Sequence, residues 1–165
     1  MTNFIELTAA DGLKFPACEA RPAGQSKGTV VVLQDIQAAI RYAAHASFTG
    51  KVGMVGYCWG GLLTWRAACL LSGLSAAVPY YGGGMTSALE IGRTPKCPVL
   101  AHFGDQDHLI ALDGVAAFKN VQPNVDVRIY PAGHGFNCDH RSAYDAKAAA
   151  LARERTLDFF TRHLG

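Results

Sequence analysis

Two short stretches restrict the fold more than anything else in the chain. Residues 29–33 (TVVVL) and 51–57 (KVGMVGY) are rich in β-branched and apolar residues and show no polar alternation. A strand with one wet face alternates apolar and polar side chains. A strand without alternation is covered on both faces, as in a parallel sheet between helical layers. Parallel neighbours cannot be joined by a tight turn; they need crossovers of a dozen or more residues, usually helical. The chain supplies such crossovers. Residues 36–45 (IQAAIRYAAH) are Ala-rich and helical. Residues 62–71 (LLTWRAACLL) read as a helix, 76–81 and 98–103 as strands, 115–120 as a short helix, and 125–130 (VDVRIY) as the last strand. A long helix over 143–164 carries Leu157, Phe160 and Leu164 on one face. Strands alternating with helices predict an α/β fold with a mainly parallel sheet flanked by helices.

The front of the chain differs. Phe4, Ile5 and Leu7 mark a short strand, Ala10-Asp11-Gly12 a turn, and residues 13–21 a second strand. This predicts an N-terminal antiparallel hairpin, followed by a polar break over 22–28. With 165 residues, half of them apolar, and neither repeats nor a linker, a single domain over residues 1–165 is expected.

Several classes of partner are not expected. The net charge is +2 and no block of like charges occurs, so neither nucleic acid nor an anionic membrane surface is anticipated. No apolar run reaches the roughly 18 residues of a bilayer span. The start, MTNFIELTAADGLK, has no basic segment followed by an apolar core, so no signal peptide is expected. The five cysteines (Cys18, Cys58, Cys69, Cys97, Cys138) are odd in number and form no C-x-x-C pair. That argues against a disulfide framework and for a reducing, cytoplasmic setting. Cys18, Cys69 and Cys97 read as buried hydrophobes and Trp65 as core. His45, His102, His108 and His163 have no assigned role.

The chemistry points to GYCWGG, residues 56–61. It lies where a buried strand ends and a helix begins, the setting of a nucleophile elbow with the pattern Gly-x-nucleophile-x-Gly. In such an elbow the nucleophile takes a strained backbone conformation, and glycines two residues either way avoid clashes. The helix N-terminus that follows offers free N–H groups to a developing negative charge. A nucleophile needs a base, and the base an orienting group. HFGDQDHL (residues 102–109) follows a strand and places Asp107 in the loop at its carboxyl end. YPAGHGF (residues 130–136) follows the last strand and places His134 between two glycines. Open α/β sheets gather ligands at the carboxyl ends of their strands, so Cys58, Asp107 and His134 are expected at one edge. Taken singly, Asp107 could be a turn carboxylate and His134 an idle loop residue. A metal site at His134, Cys138 and His140 lacks a partner group. The glycines at 82–84 do not complete a dinucleotide motif, since Ser87 stands at the last Gly position. No metal and no cofactor are expected.

The stretches GKVGMVGYCWGG, HFGDQDHL, YPAGHGFNC and ALARERTLDFF resemble the dienelactone hydrolase family of α/β-hydrolases, also called carboxymethylenebutenolidase-like. The resemblance implies an α/β-hydrolase-like fold. It also implies that Cys58 is the nucleophile, His134 the base and Asp107 the residue orienting the imidazole, with Asp105 left out. It gives LQDI (residues 33–36) a meaning as well: Asp35 tunes the nucleophile or meets substrate, and the backbone N–H groups of Ile36 and Trp59 form the oxyanion hole. Asp35 stands where the family has Glu, one methylene longer; read without the family, it is a helix N-cap. In the family LQDI and the helix matching IQAAIRYAAH are far apart, whereas here they abut, so the domain reads as internally shortened between Ile36 and Gln37. A helix, a strand, a long loop and a further helix are missing there. The loss would expose a sheet edge, so self-association through that edge is expected. It would also remove a basic substrate contact, and Cys138 stands where the family has an Arg, with Arg141 nearby. The implied activity is hydrolysis of a small ester or lactone, dienelactone-type or broader, through an acyl-enzyme on Cys58. The alternative is a non-catalytic α/β-hydrolase-like binding domain or remnant that keeps the triad residues without a complete pocket.

Overall fold

The computed structural model describes residues 2–8, 14–20, 29–31, 36–46 and 50–165. The order of elements is β1 (Thr2–Thr8), β2 (Lys14–Ala20), β3 (Thr29–Val31), α1 (Ile36–Ala46), β4 (Val52–Tyr57), α2 (Trp59–Leu70), β5 (Ala76–Tyr80), α3 (Ala88–Ile91), β6 (Leu100–Gly104), α4 (Leu112–Val121), β7 (Asp126–Tyr130) and α5 (Ala146–Leu164). Five strands form one sheet in the order β3-β4-β5-β6-β7, parallel throughout. β1 and β2 pair antiparallel as a separate two-stranded sheet, with Leu7 opposite Phe15. The hairpin and the parallel sheet are those expected; the hairpin's turn at 10–12 lies outside the described residues.

The central strands are covered on both sides, which is why they do not alternate; β7, at the sheet edge, exposes Arg128 and Ile129. All five residues of β5 and of β6 are buried. Neighbouring residues on a strand face opposite ways, and β6 displays both layers. Phe103 meets Phe118 of α4 with ring centres 6.1 Å apart, and Trp65 of α2 packs edge-on against the same Phe118 at 5.0 Å. The adjacent His102 turns to the opposite layer and reaches Thr156 of α5. α2 is buried through Leu62, Thr64, Trp65, Ala67, Ala68 and Cys69, which suits a helix apolar on nearly every side. α1 buries only Ala38, Ala39, Ile40 and Ala43, an amphipathic stripe. α5 starts where Asp145 Oδ1 accepts the Ala148 N–H at 2.8 Å, an N-cap three residues later than the sequence suggests. Its buried face runs through Ala152, Thr156, Phe159, Phe160 and Leu164; Leu157, expected on that face, is 48% exposed. Cys69 is buried and Cys97 packs on the main core. Burial pushes their thiols up to about 12 and about 11, which suits inert hydrophobes. The side chain of Cys18 lies outside the described residues.

Two buried polar clusters tie the layers together. α3 is too short for periodicity to reveal it, yet it carries Glu90, 1% exposed. One Glu90 carboxylate oxygen accepts from Arg66 of α2 at 2.8 Å, and the other accepts from Arg93 at 2.9 Å. Its backbone carbonyl accepts the Trp65 indole N–H at 3.1 Å. The second cluster centres on His102, which is wholly buried. Thr156 spends its one hydroxyl proton on the Ala152 carbonyl at 2.9 Å. Its oxygen therefore accepts from Tyr80 O–H at 2.7 Å and from His102 Nε2–H at 3.0 Å. That leaves His102 Nδ1 as the acceptor of Tyr130 O–H at 2.8 Å. His102, given no role from sequence, thus joins β5, β6, β7 and α5 in its neutral form.

Burial, with the Arg155 and Arg128 charges adding to it, pushes His102 down to about 3. The unfolded chain therefore binds this proton and the folded chain does not, between the ordinary imidazole value and about pH 3. The stabilisation is fully present above about pH 6.5 and declines as pH falls toward 3. Between pH 6.5 and 4.5 the loss is ~2–3 kcal/mol from this one group. Urea titrations at these two pH values check this. His102→Gln, which cannot take up the proton, should show a correspondingly smaller difference between them.

Candidate active site

β4 is buried through Val52, Gly53 and Met54 and ends at Tyr57; α2 begins two residues later. The chain reverses between them in a single residue. Cys58 has φ 55 and ψ −119, a conformation that costs any residue with a Cβ. The turn is held by Cys58 N–H to the Tyr80 carbonyl at 3.0 Å and by Gly61 N–H to the Cys58 carbonyl at 2.9 Å. The crowding differs from the expectation that Gly56 and Gly60 both make room. A Cβ on Gly56 would strike the carbonyl of Gly60, whereas a Cβ on Gly60 would meet nothing. The second indispensable glycine is Gly61, where a Cβ would stand 2.5 Å from the Tyr80 carbonyl oxygen.

The other two residues arrive from the neighbouring strand ends. The loop after β6 and the loop after β7 lie backbone against backbone. Asp105 N–H donates to the Tyr130 carbonyl at 2.9 Å and Gln106 N–H to the Ala132 carbonyl at 3.1 Å. Gly104 permits this approach, since a Cβ there would collide with the Ala132 carbonyl oxygen. The result brings Asp107 Oδ2 to 2.7 Å from His134 Nδ1, and His134 Nε2 to 3.0 Å from Cys58 Sγ. The remaining oxygen of Asp107, Oδ1, accepts the Leu109 N–H at 2.8 Å. Asp107 and His134 are 7% and 6% exposed, while Asp105 faces solvent, so geometry favours the second acid of the loop. The carboxylate holds the proton on Nδ1 and leaves Nε2 directed at sulfur.

Trp59 and Ile36 are the first residues of α2 and α1, where helix geometry leaves N–H groups without an intrahelical partner. The Trp59 side chain is 69% exposed beside Cys58. Asp35 lies outside the described residues. Cys138 is half-buried on the His134 loop and its N–H donates to the Gly135 carbonyl at 2.9 Å. Arg141 is exposed, with its side chain against Gly135. Among the described residues no group of three His, Cys, Asp or Glu side chains is arranged to hold a metal ion. No helix among them is long and apolar enough to cross a membrane.

Tyr81 escaped the sequence reading. It sits directly after β5 with φ 34, and its ring is 5.2 Å from that of His134. The signal for it was a tyrosine pair running into the glycines at 82–84, which marks a sharp turn at a strand's carboxyl end.

Comparison with known proteins bears on the same residues. The pattern of the dienelactone hydrolase family matches residues 17–164. A carboxymethylenebutenolidase of Pseudomonas putida is 42% identical over 130 residues, which cover 76% of this chain and 55% of that protein. The chain spans about half the length of the curated relatives it matches. Among solved structures, a dienelactone hydrolase-like promiscuous phosphotriesterase from metagenomic libraries superposes with a TM-score of 0.63 at 25% identity, covering 78% of this chain and 60% of that one. An esterase of Pyrococcus furiosus superposes with a TM-score of 0.78 over 100% of this chain and 92% of its own; at 14% identity that likeness concerns the fold alone. The chain has an α/β-hydrolase fold and belongs to the dienelactone hydrolase family.

Proposed function

We propose that the chain is a hydrolase of small carboxylic esters or lactones, acting through Cys58, His134 and Asp107. The observation that carries this reading is the continuous chain of contacts from Asp107 Oδ2 to His134 Nδ1 at 2.7 Å and from His134 Nε2 to Cys58 Sγ at 3.0 Å. Cys58 Sγ attacks the acyl carbon as its proton passes to Nε2. The tetrahedral oxyanion lies at the N-termini of α1 and α2, within reach of the Ile36 and Trp59 N–H groups. The carbon–oxygen bond then breaks, His134 returns the proton to the leaving oxygen, and a thioester remains on Cys58. Water adds to the thioester with His134 as base, and the sulfur leaves. Asp107 keeps the imidazole in the required tautomer and offsets its charge when both nitrogens are protonated. Asp35 belongs to the proposal as a group beside the nucleophile or substrate. No cofactor is required.

Family membership supports the substrate class, and the P. putida relative carries the name carboxymethylenebutenolidase. The chain's half length relative to such proteins favours one second reading, an α/β-hydrolase-like domain that keeps the triad without turnover. The proposal also takes residues 1–165 as one domain, shortened between Ile36 and Gln37. It includes self-association, because among the described residues β3 ends the five-stranded sheet and β1-β2 does not pair with it.

A short pulse of p-nitrophenyl acetate followed by peptide mass spectrometry separates the two readings. An acetyl group on Cys58 is expected, and an intact protein with no adduct supports the second. Cys58→Ala should abolish both ester turnover and iodoacetamide labelling at that position, and full turnover in that variant would refute the assignment. Asp107→Asn should lower kcat about 10²-fold with little change in KM. Light scattering tests assembly: a dimer or larger species is expected, and a strict monomer at all concentrations excludes pairing at the β3 edge.

A further inference from the structure

Among the described residues, two that are not glycine take a left-handed φ: Cys58 and Tyr81. The elbow accounts for the first. The second calls for its own cause, because a positive φ on a bulky residue is an outlier.

A strand sends consecutive side chains to opposite faces. Tyr80, the last residue of β5, lies 4.7 Å from the Tyr57 ring and 6.3 Å from the Phe136 ring. A Tyr81 in extended conformation would face away from that cluster. With φ 34 it comes round to the same side, where its ring lies 6.3 Å from Tyr57 and 5.2 Å from Phe136. There it also meets His134 at 5.2 Å, the planes crossing at 62°. Its backbone N–H is tied to the His102 carbonyl at 2.7 Å, and the residue is 2% exposed. The Asn137 N–H faces its phenolic oxygen, three residues beyond His134. A glycine would take this φ freely, and three glycines follow, yet the position holds a tyrosine.

We propose that Tyr81 is a positioning residue for His134: its ring fixes the plane of the imidazole so that Nε2 stays aimed at Cys58 Sγ. The bond from Nδ1 to Asp107 pins one end of the imidazole, and the other end has only its 3.0 Å contact with the Cys58 sulfur. Rotation about the side chain's last torsion is soft, and a swing about that bond would carry Nε2 away from sulfur. The ring of Tyr81, 5.2 Å away, blocks the swing from one side. The imidazole meets Cys58, Asp107 and Tyr81, while Cys138 and Arg141 follow it on the same loop, Arg141 against Gly135 and Cys138 toward Tyr81.

The choice of reaction rests on the ester-hydrolase reading, but the test does not depend on turnover alone. Tyr81→Leu, Tyr81→Gly and Tyr81→Phe are compared with the parent protein in two assays: kinetics on p-nitrophenyl acetate, and the rate of iodoacetamide alkylation of Cys58 at pH 7. Leu and Gly are expected to lower kcat by about 30- to 100-fold with KM within about threefold, the signature of lost alignment. They should also slow alkylation about tenfold. Phe keeps the ring and is expected to restore both rates to within about threefold of the parent. Parent-like rates in Leu and Gly overturn the proposal, and so does a loss in Phe as large as in Leu. If Leu fails to fold, Gly, which suits φ 34, carries the comparison, with circular dichroism as the check. If the parent protein turns over no ester, the hydrolase reading fails and the alkylation order alone decides on Tyr81.

Discussion

Backbone lies on backbone at the carboxyl end of the sheet, and the site depends on that contact. Gly104 sits against the Ala132 carbonyl, and Asp105 and Gln106 donate their N–H groups to the strand and loop that lead to His134. Asp107 and His134 are therefore held by main chain before their side chains meet. Gly61 does the same for Cys58, letting the first turn of α2 rest on the Tyr80 carbonyl. An added methyl group at either glycine would separate layers that must touch. The 3.0 Å and 2.7 Å contacts of His134 follow from this packing.

The fold was legible because its central strands have no wet face. TVVVL and KVGMVGY show no alternation, and helices do cover both sides of the sheet. The candidate site residues Cys58, Asp107 and His134 were legible because each follows the carboxyl end of a strand, Cys58 and His134 between glycines. Other features left no local trace. α3 has four residues, too few for a period, so the burial of Glu90 between two arginines was invisible. Leu157 fits a helical stripe with Phe160 and Leu164, but the groove that receives α5 is opened by Gly53, where a Cβ would stand 2.7 Å from Leu164 and 2.8 Å from Phe160. The stripe is centred accordingly on Thr156, Phe160 and Leu164. Gly60 looked like half of a clash-avoiding pair, and only the three-dimensional path of α2 shows that the crowded residue is its neighbour.

The strained positions are not scattered. Cys58 and Tyr81 end adjacent parallel strands, and each deviation costs on the order of 1–3 kcal/mol. Buried polar clusters lie close by. The Tyr130–His102–Thr156–Tyr80 network joins three strands to α5, with each of these protons assigned to an acceptor. Tyr81 hangs from the His102 carbonyl, so the same histidine that locks the layer supports the bend beside His134. Rigid scaffold and strained site share one residue.

The chain has two tryptophans, and they sit in opposite surroundings. Trp65 is fully enclosed between α2, α3 and α4, while Trp59 stands 69% exposed next to the thiol. Their emission will differ in colour and in access to quenchers such as iodide. The blue component reports whether the interior is intact; the red one reports what lies over Cys58. The protein thus carries two independent optical gauges, one for melting and one for occupancy, with no label attached.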